Sequence, residues 1–306
     1  MRRFNPLLAA LALVSTPVWA SSTVTLYGVV DVGIGKTEGG KVKMTSSETL
    51  TNGNSRWGLR GLEDLGGGNK AGFNLEATIV AKTGGVAADG FWSRMAVVWV
   101  EGPWGQFKMG RTLNPSFYGT GAWELTGFAN YSAVGSTYQY AGSGPRNNSQ
   151  FTYKTPSFGG LSSEIGYVFK ADNKDLAKVD MNVIYRGGPF NVGFSANKTD
   201  TKGLNYALGA RYNLGQNWSF SAAYNDLKNH PTSVRRQGVY LGAMFTQNVY
   251  SVTLELTHDT KNGALKKHDN FLLEGRYNLS KRSFVYTAVF RKDGVRNATL
   301  GVRHNF

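Results

Sequence analysis

The chain of 306 residues carries 34 Lys and Arg against 20 Asp and Glu, a formal charge of +14, and no cysteine. The missing cysteine excludes a disulfide scaffold, thiolate-held metals and a cysteine-borne lipid anchor. Basic residues are scattered over polar positions instead of clustering on one element, which, together with the export signal that opens the chain, argues against nucleic acid as a partner and for anionic solutes or lipid phosphates.

In chain order, residues 1–20 read as a cleaved secretory signal. Arg2 and Arg3 give the positive start, Leu7 to Val14 the short apolar core, and Val18-Trp19-Ala20 the cleavage site. The apolar run is far below the ~20 residues of a spanning helix, so it is not read as an anchor. Residues 21–306 are then expected to form one domain. Within it apolar and polar side chains alternate with a period of two, the mark of strands with two unlike faces. The sets Trp57 and Leu59, Phe73 with Leu75 and Ile79, Val179 to Tyr185 at every second position, Trp218 with Phe220 and Tyr224, and Val252 with Leu254 and Leu256 are expected to face outward. Interleaved with them stand Arg56 and Arg60, Glu76, Asp180, Asn182, Ser219, Ser221 and Glu255. The chain closes on the same pattern, with Phe284, Tyr286, Ala288 and Phe290 in one segment and Leu300, Val302, His304 and the terminal Phe306 in the next.

Roughly sixteen such segments can be counted, each near the ~9–11 residues a tilted strand needs to cross a bilayer. Tight turns are expected at 64–68, 102–104, 157–160, 187–189, 215–217, 247–248 and 280–282. Longer connections alternate with them near 36–47, 83–92, 113–148, 172–174, 199–203, 228–235, 259–268 and 292–297. The expected fold is all-β: a closed transmembrane antiparallel β-barrel of about 16 strands laid up and down. A charge on the lipid side at mid-bilayer would cost roughly 2–4 kcal/mol, so the polar set faces the lumen. A barrel of that size is too wide for side chains to fill, and its lumen holds water. Tyr27, Trp104, Tyr153, Tyr185, Trp218, Tyr277 and Tyr286 suit interfacial girdles.

One connection breaks the pattern. Residues 113–148 form a stretch far longer than its neighbours and rich in Gly, Ser, Tyr and Phe. A segment of that size in a compact protein is functional or disordered. Its apolar anchors, Phe117, Tyr118, Trp123, Phe128, Tyr131 and Tyr138, favour a loop folded inward to narrow the lumen.

Five motifs in fixed order carry a family resemblance. They are Thr25 to Asp31 (TLYGVVD), Ser55 to Gly61 (SRWGLRG) with Glu63-Asp64-Leu65-Gly66, Gly105 to Arg111, Arg146 to Ser149 followed by Tyr153, and Gly301 to Phe306 (GVRHNF). With them the whole mature chain resembles the general porins of the Gram-negative outer membrane, most closely the β-proteobacterial branch. The resemblance implies a homotrimer of sixteen-stranded barrels, with the third external loop folded inside each pore. It implies Phe306 as the signal read by the barrel-assembly machinery, and outer-membrane lipid and lipopolysaccharide as surroundings. It also implies an arginine cluster at the pore constriction: Arg56 and Arg60 from the second strand, Arg111 from the end of the fifth, and Arg146 from the start of the sixth. Simple alternation from Phe107 points Arg111 outward, so this assignment needs a bulge near Gly110. Between Leu113 and Asn148 the only carboxylate is Glu124, and the family's usual acidic loop motif is missing.

Four arginines facing one glutamate in a narrow, low-dielectric eyelet should concentrate anions and repel cations. The expected function is therefore a passive channel for ions and small hydrophilic solutes, anion-preferring, without cofactor or metal. The competing role for the arginines is structural pairing with Asp31, Glu76 or Glu101. A solute-specific channel is the nearest alternative and would use Phe117, Tyr118 and Trp123 as an aromatic slide. A hydrolase would have to draw on His230, His258, His268 or His304, none with a serine motif beside it. Adhesion through the loops is a further alternative, with Lys266-Lys267 and Arg235-Arg236 meeting lipopolysaccharide phosphates.

Overall fold

The computed structural model describes residues 22–88, 90–230 and 235–306. The signal expected at 1–20 lies outside the described residues. The chain starts with β1 (Ser22–Thr37), a short β2 (Lys43–Ser46), β3 (Arg56–Gly66), β4 (Asn69–Val80) and a two-residue β5 (Gly85–Val86). Strands β6 (Met95–Gly102) and β7 (Gly105–Leu113) lead into the long connection, which holds the helices α1 (Pro115–Gly121) and α2 (Ala133–Tyr138). Beyond it come β8 (Arg146–Lys154), β9 (Leu161–Val168), β10 (Lys178–Gly187), β11 (Phe190–Thr199), β12 (Asn205–Leu214) and β13 (Trp218–Leu227). The last five are β14 (Arg236–Gln247), β15 (Tyr250–Asn262), β16 (Asp269–Asn278), β17 (Ser283–Lys292) and β18 (Val295–Asn305).

Setting aside the short β2 and β5, sixteen long strands pair antiparallel with their neighbours in a ring. The ring closes because β1 pairs twice. Its first half, Ser22 to Val29, runs against Glu63 to Arg56 of β3, and its second half, Val29 to Thr37, against Asn305 to Asn297 of β18. Phe306 extends that seam, exchanging both backbone hydrogen bonds with Gly28 at 3.0 Å. Closure pairs each long strand with a neighbour on both sides, which is the condition for β-structure in hydrocarbon. Among the described residues no helix is long and apolar enough to cross a membrane.

Alternation decides which way each strand faces. Val179, Trp218, Phe220, Tyr224, Val252, Leu254 and Leu256 are exposed, while Asp180, Asn182, Ser219, Ser221, Asn225, Thr253 and Glu255 between them are buried. The exposed set forms the apolar outer face of the ring. All seven expected tight turns are present at the expected places, and outward aromatics gather beside them. Trp104 stacks on Phe107 at 5.5 Å, and Phe190–Tyr212, Trp218–Phe245 and Tyr250–Tyr277 pair at 4.8 to 5.0 Å.

Three expectations are corrected. The connection at 292–297 is not a long loop: Lys292 pairs directly with Val295, and Asp293-Gly294 make a two-residue hairpin with φ of 49° and 89°. Asp-Gly supplies the two positive φ values that such a turn requires. Tyr27 and Tyr286 are not girdle residues, because both point inward. The Tyr27 hydroxyl donates to Asn74 Oδ1 at 2.8 Å and Glu76 Oε2 at 3.1 Å, and that of Tyr286 to Asp31 Oδ1 at 2.7 Å. On β17 the outward residues are Val285, Thr287 and Val289, while Tyr286, Ala288 and Phe290 are buried against Leu50, Ala129, Tyr131 and Ala133. A period of two separates two faces but does not say which one meets lipid when both are apolar.

Candidate functional site: an arginine-lined cavity beside segment 113–148

The long connection is built by local signals and then fastened to the inner, polar alternate of the strands. Asn114 caps α1 by accepting from Phe117 N at 2.8 Å, with Pro115 in the first turn, and Ser132 caps α2 by accepting from Gly135 N. Three wall carboxylates hold the segment. Asp180 accepts from Ser116 N and Oγ at 2.7 Å and from Ser143 Oγ at 2.5 Å. Glu255 accepts from Ala133 N at 2.7 Å, and Glu274 from the Tyr131 hydroxyl. Trp123, fully buried, lies against Gly209 and Tyr240, and its carbonyl accepts from Ser221 Oγ at 2.7 Å. A buried carboxylate is costly unless hydrogen-bonded, so these acids and this segment satisfy one another.

On the other side of the segment, arginines gather round one glutamate. Glu76 of β4 lies 2.5 Å from Arg94 Nε, 3.4 Å from Arg56 Nε and 4.0 Å from Arg146 Nη2, and it also accepts from Tyr27. Arg303 of β18 completes the group, its Nη1 donating to Asn52 Oδ1 at 2.9 Å. Arg56, Arg94, Arg146, Arg303 and Glu76 line a cavity of about 290 Å3 together with Phe117, Phe128, Asn130 and Tyr140. Among the described residues Glu76 is the only acid in that lining. Three guanidinium groups share Glu76, while Arg303 lies beside Asp31 next to Gly53, and the lining as a whole holds four arginines and one acid.

A sequence profile described as Gram-negative porin matches residues 7–297. The chain belongs to the Gram-negative porins. Outer membrane porin protein 32 of Delftia acidovorans is 34% identical over 233 residues, 68% of this chain and 65% of that protein, so the chain matches less than two thirds of that relative's length. An outer membrane porin protein of Bordetella pertussis is 28% identical over 97% of this chain and 98% of its own. Among solved structures, the anion-selective porin from Comamonas acidovorans superposes with a TM-score of 0.77 at 27% identity, over 94% of this chain and all of that one. OmpT of Vibrio cholerae, solved in a trimer form, reaches a TM-score of 0.72 at 14% identity and shares the fold. With these relatives and the closed barrel, the porin is an outer-membrane protein of the β-proteobacterial kind.

The site residues read from the sequence separate in space. Arg56 and Arg146 meet at the Glu76 cavity. Arg60 also points inward, but nearer the tight-turn end, where its guanidinium lies 5.6 Å from the centre of the Tyr27 ring. Arg111 donates from Nε to the Ser93 carbonyl at 2.6 Å and from Nη1 to the Asn148 amide oxygen. The irregularity near Gly110 is present, but the extra residue sits in β8: Gly110 and Thr112 face Gln150 and Asn147, while Arg111 keeps its register opposite Ala96. Glu124 turns to its own loop and accepts from Thr126 N at 3.0 Å and Phe128 N at 2.9 Å. Phe306 sits at the barrel seam.

Sequence reasoning missed Arg94 and Arg303 as partners in this cavity. Arg303 was readable, since the alternation that turns Val302 and His304 outward turns it inward. Arg94 precedes β6 outside any periodic segment and left no signal. Of the histidines, His258 pairs with Asp269, Nδ1 to Oδ1 at 2.6 Å, at an exposed strand end.

Proposed function

We propose that this porin is a passive, water-filled diffusion channel that prefers anions, with its constriction between segment 113–148 and the wall bearing Arg56, Arg94, Arg146 and Arg303. The observation that carries the reading is the lining of the cavity: four arginines and a single carboxylate, which three of them share. In a narrow space with low-dielectric walls such a set focuses positive potential, concentrates counter-ions and raises the barrier to cations. Arg60 and Arg111 add positive charge further along the path, and Arg111 lies within electrostatic reach of Arg146. The anion selectivity named for the Comamonas structure supports the same sign. Glu124, committed to its own turn, leaves the cation-attracting side of the eyelet weak.

The same reading takes residues 1–20 as a cleaved leader and 21–306 as the mature barrel. It takes the functional unit as a homotrimer in outer-membrane lipid and lipopolysaccharide, with the strand ending in Phe306 offered to the barrel-assembly machinery. The zero-current potential of the purified, refolded porin in a planar bilayer under a potassium chloride gradient tests it. A chloride-selective sign is expected. A cation-selective sign overturns the arginine eyelet, and absence of conductance steps overturns the open pore.

A further inference from the structure

The wall that faces the arginines is aromatic rather than acidic. Phe117, Phe128 and Tyr140 of segment 113–148 border the cavity. The Phe117 and Phe128 rings stack at 3.9 Å with 18° between their planes, and Tyr140 leans on Phe117 at 4.8 Å. Two of these three residues stand at positive φ, Phe128 at 66° and Tyr140 at 55°, and the neighbours of Tyr140, Gln139 and Ala141, do so at 49° and 56°. Side-chain-bearing residues hold that conformation only where the surrounding structure over-determines it, and such strain gathers at functional sites. A filter that worked by charge alone would need no rings fixed in place at such a cost.

Arg146 supplies an independent observation. Its Nε is buried without a hydrogen-bond partner, and its Nη2 stands 4.0 Å from Glu76 Oε1. A buried guanidinium donor left unused calls for an acceptor. The planar fork of an arginine fits a carboxylate in a bidentate manner. Aromatic side chains, in turn, favour offset or edge contacts with a second ring. At about 290 Å3 the cavity is at the small end of ligand pockets, which suits a solute with one ring.

We propose that this cavity is a binding site for planar aromatic carboxylates: Arg146, backed by Arg56 and Arg94, takes the carboxylate, and Phe117, Phe128 and Tyr140 take the ring. The inference rests on the reading of the cavity as the channel's constriction. Such a solute would dwell at the eyelet and interrupt the chloride current while bound.

The test is a planar-bilayer recording of the full porin in potassium chloride with added benzoate, cyclohexanecarboxylate or acetate. These carry the same charge, and only benzoate has a π face. Benzoate is expected to reduce the chloride current saturably, with half-block at about tenfold lower concentration than cyclohexanecarboxylate. Phe117→Leu and Tyr140→Leu are each expected to narrow that gap. Equal half-blocking concentrations for benzoate and cyclohexanecarboxylate, or block that never saturates, in a channel that is still chloride-selective, overturn the aromatic site alone. A cation-selective zero-current potential overturns the constriction beneath it. The comparison of solutes on the wild-type porin needs no substitution, so a variant that fails to fold leaves the test intact.

Discussion

At the scale of single residues, the cavity is decided by charges that cannot all be paired. Glu76 serves Arg94, Arg56 and Arg146 at once, so each guanidinium is only partly neutralised. A unit charge ~7 Å from a permeating ion contributes about 0.6 kcal/mol even at the dielectric constant of bulk water. Because the term has opposite sign for chloride and potassium, Arg94→Ala is expected to lower the chloride-to-potassium permeability ratio about sevenfold, and Glu76→Gln to raise it by a similar factor. Zero-current potentials of the two variants check the pair of signs, and a shift in the same direction for both would show that the set acts by packing and not by charge. Arg56 and Arg146 were legible in the sequence through their motifs. Arg94 was not, because a residue just outside a strand has no period to declare its side.

At the scale of elements, segment 113–148 gives buried carboxylates of the strands their hydrogen-bond donors. Asp180, Glu255 and Glu274 each accept from a donor of that segment. The helices α1 and α2 are too short to stand alone in water, so their stability comes from these contacts and from Trp123. Trp123→Ala removes a fully buried side chain and is expected to weaken the docking by about 3–5 kcal/mol while leaving the strand ladders in place. Larger, noisier single-channel steps, together with unchanged β-structure by circular dichroism, are the expected readout. Normal steps would mean that the hydrogen bonds alone hold the segment. The apolar anchors of this stretch were visible in the sequence. Their partners on β16 and β17 were not, because Tyr286, Ala288 and Phe290 look the same whether they face lipid or a docked loop.

At the scale of the whole molecule, closure concentrates at one seam. The Phe306 ring occupies the space beside Gly28, where an added Cβ would lie 2.2 Å from the Phe306 Cζ atom and 2.7 Å from the Arg56 carbonyl oxygen. Gly28→Leu is expected to destabilise the closed barrel by about 1–3 kcal/mol through overpacking. The shift between folded and heat-unfolded bands on a gel reports it as a lower unfolding temperature. An unchanged temperature would show that the seam can open to admit the side chain without cost to closure.

The barrel, its strand number, its seven tight turns and the outer face of most strands were legible in the residue pattern. Those features follow from a local period of two, from turn chemistry, and from the cost of placing charge in hydrocarbon, none of which needs distant contacts. Folding alone settled what lines the arginine cavity. It brought Arg94 and Arg303 beside Arg56 and Arg146, sent Glu124 back to its own turn, and set Phe117, Phe128 and Tyr140 opposite the arginines. The place of the rings and of Glu124 depends on where a segment of more than thirty residues docks. That docking is fixed by side chains far apart in sequence, so no window of neighbouring residues records it.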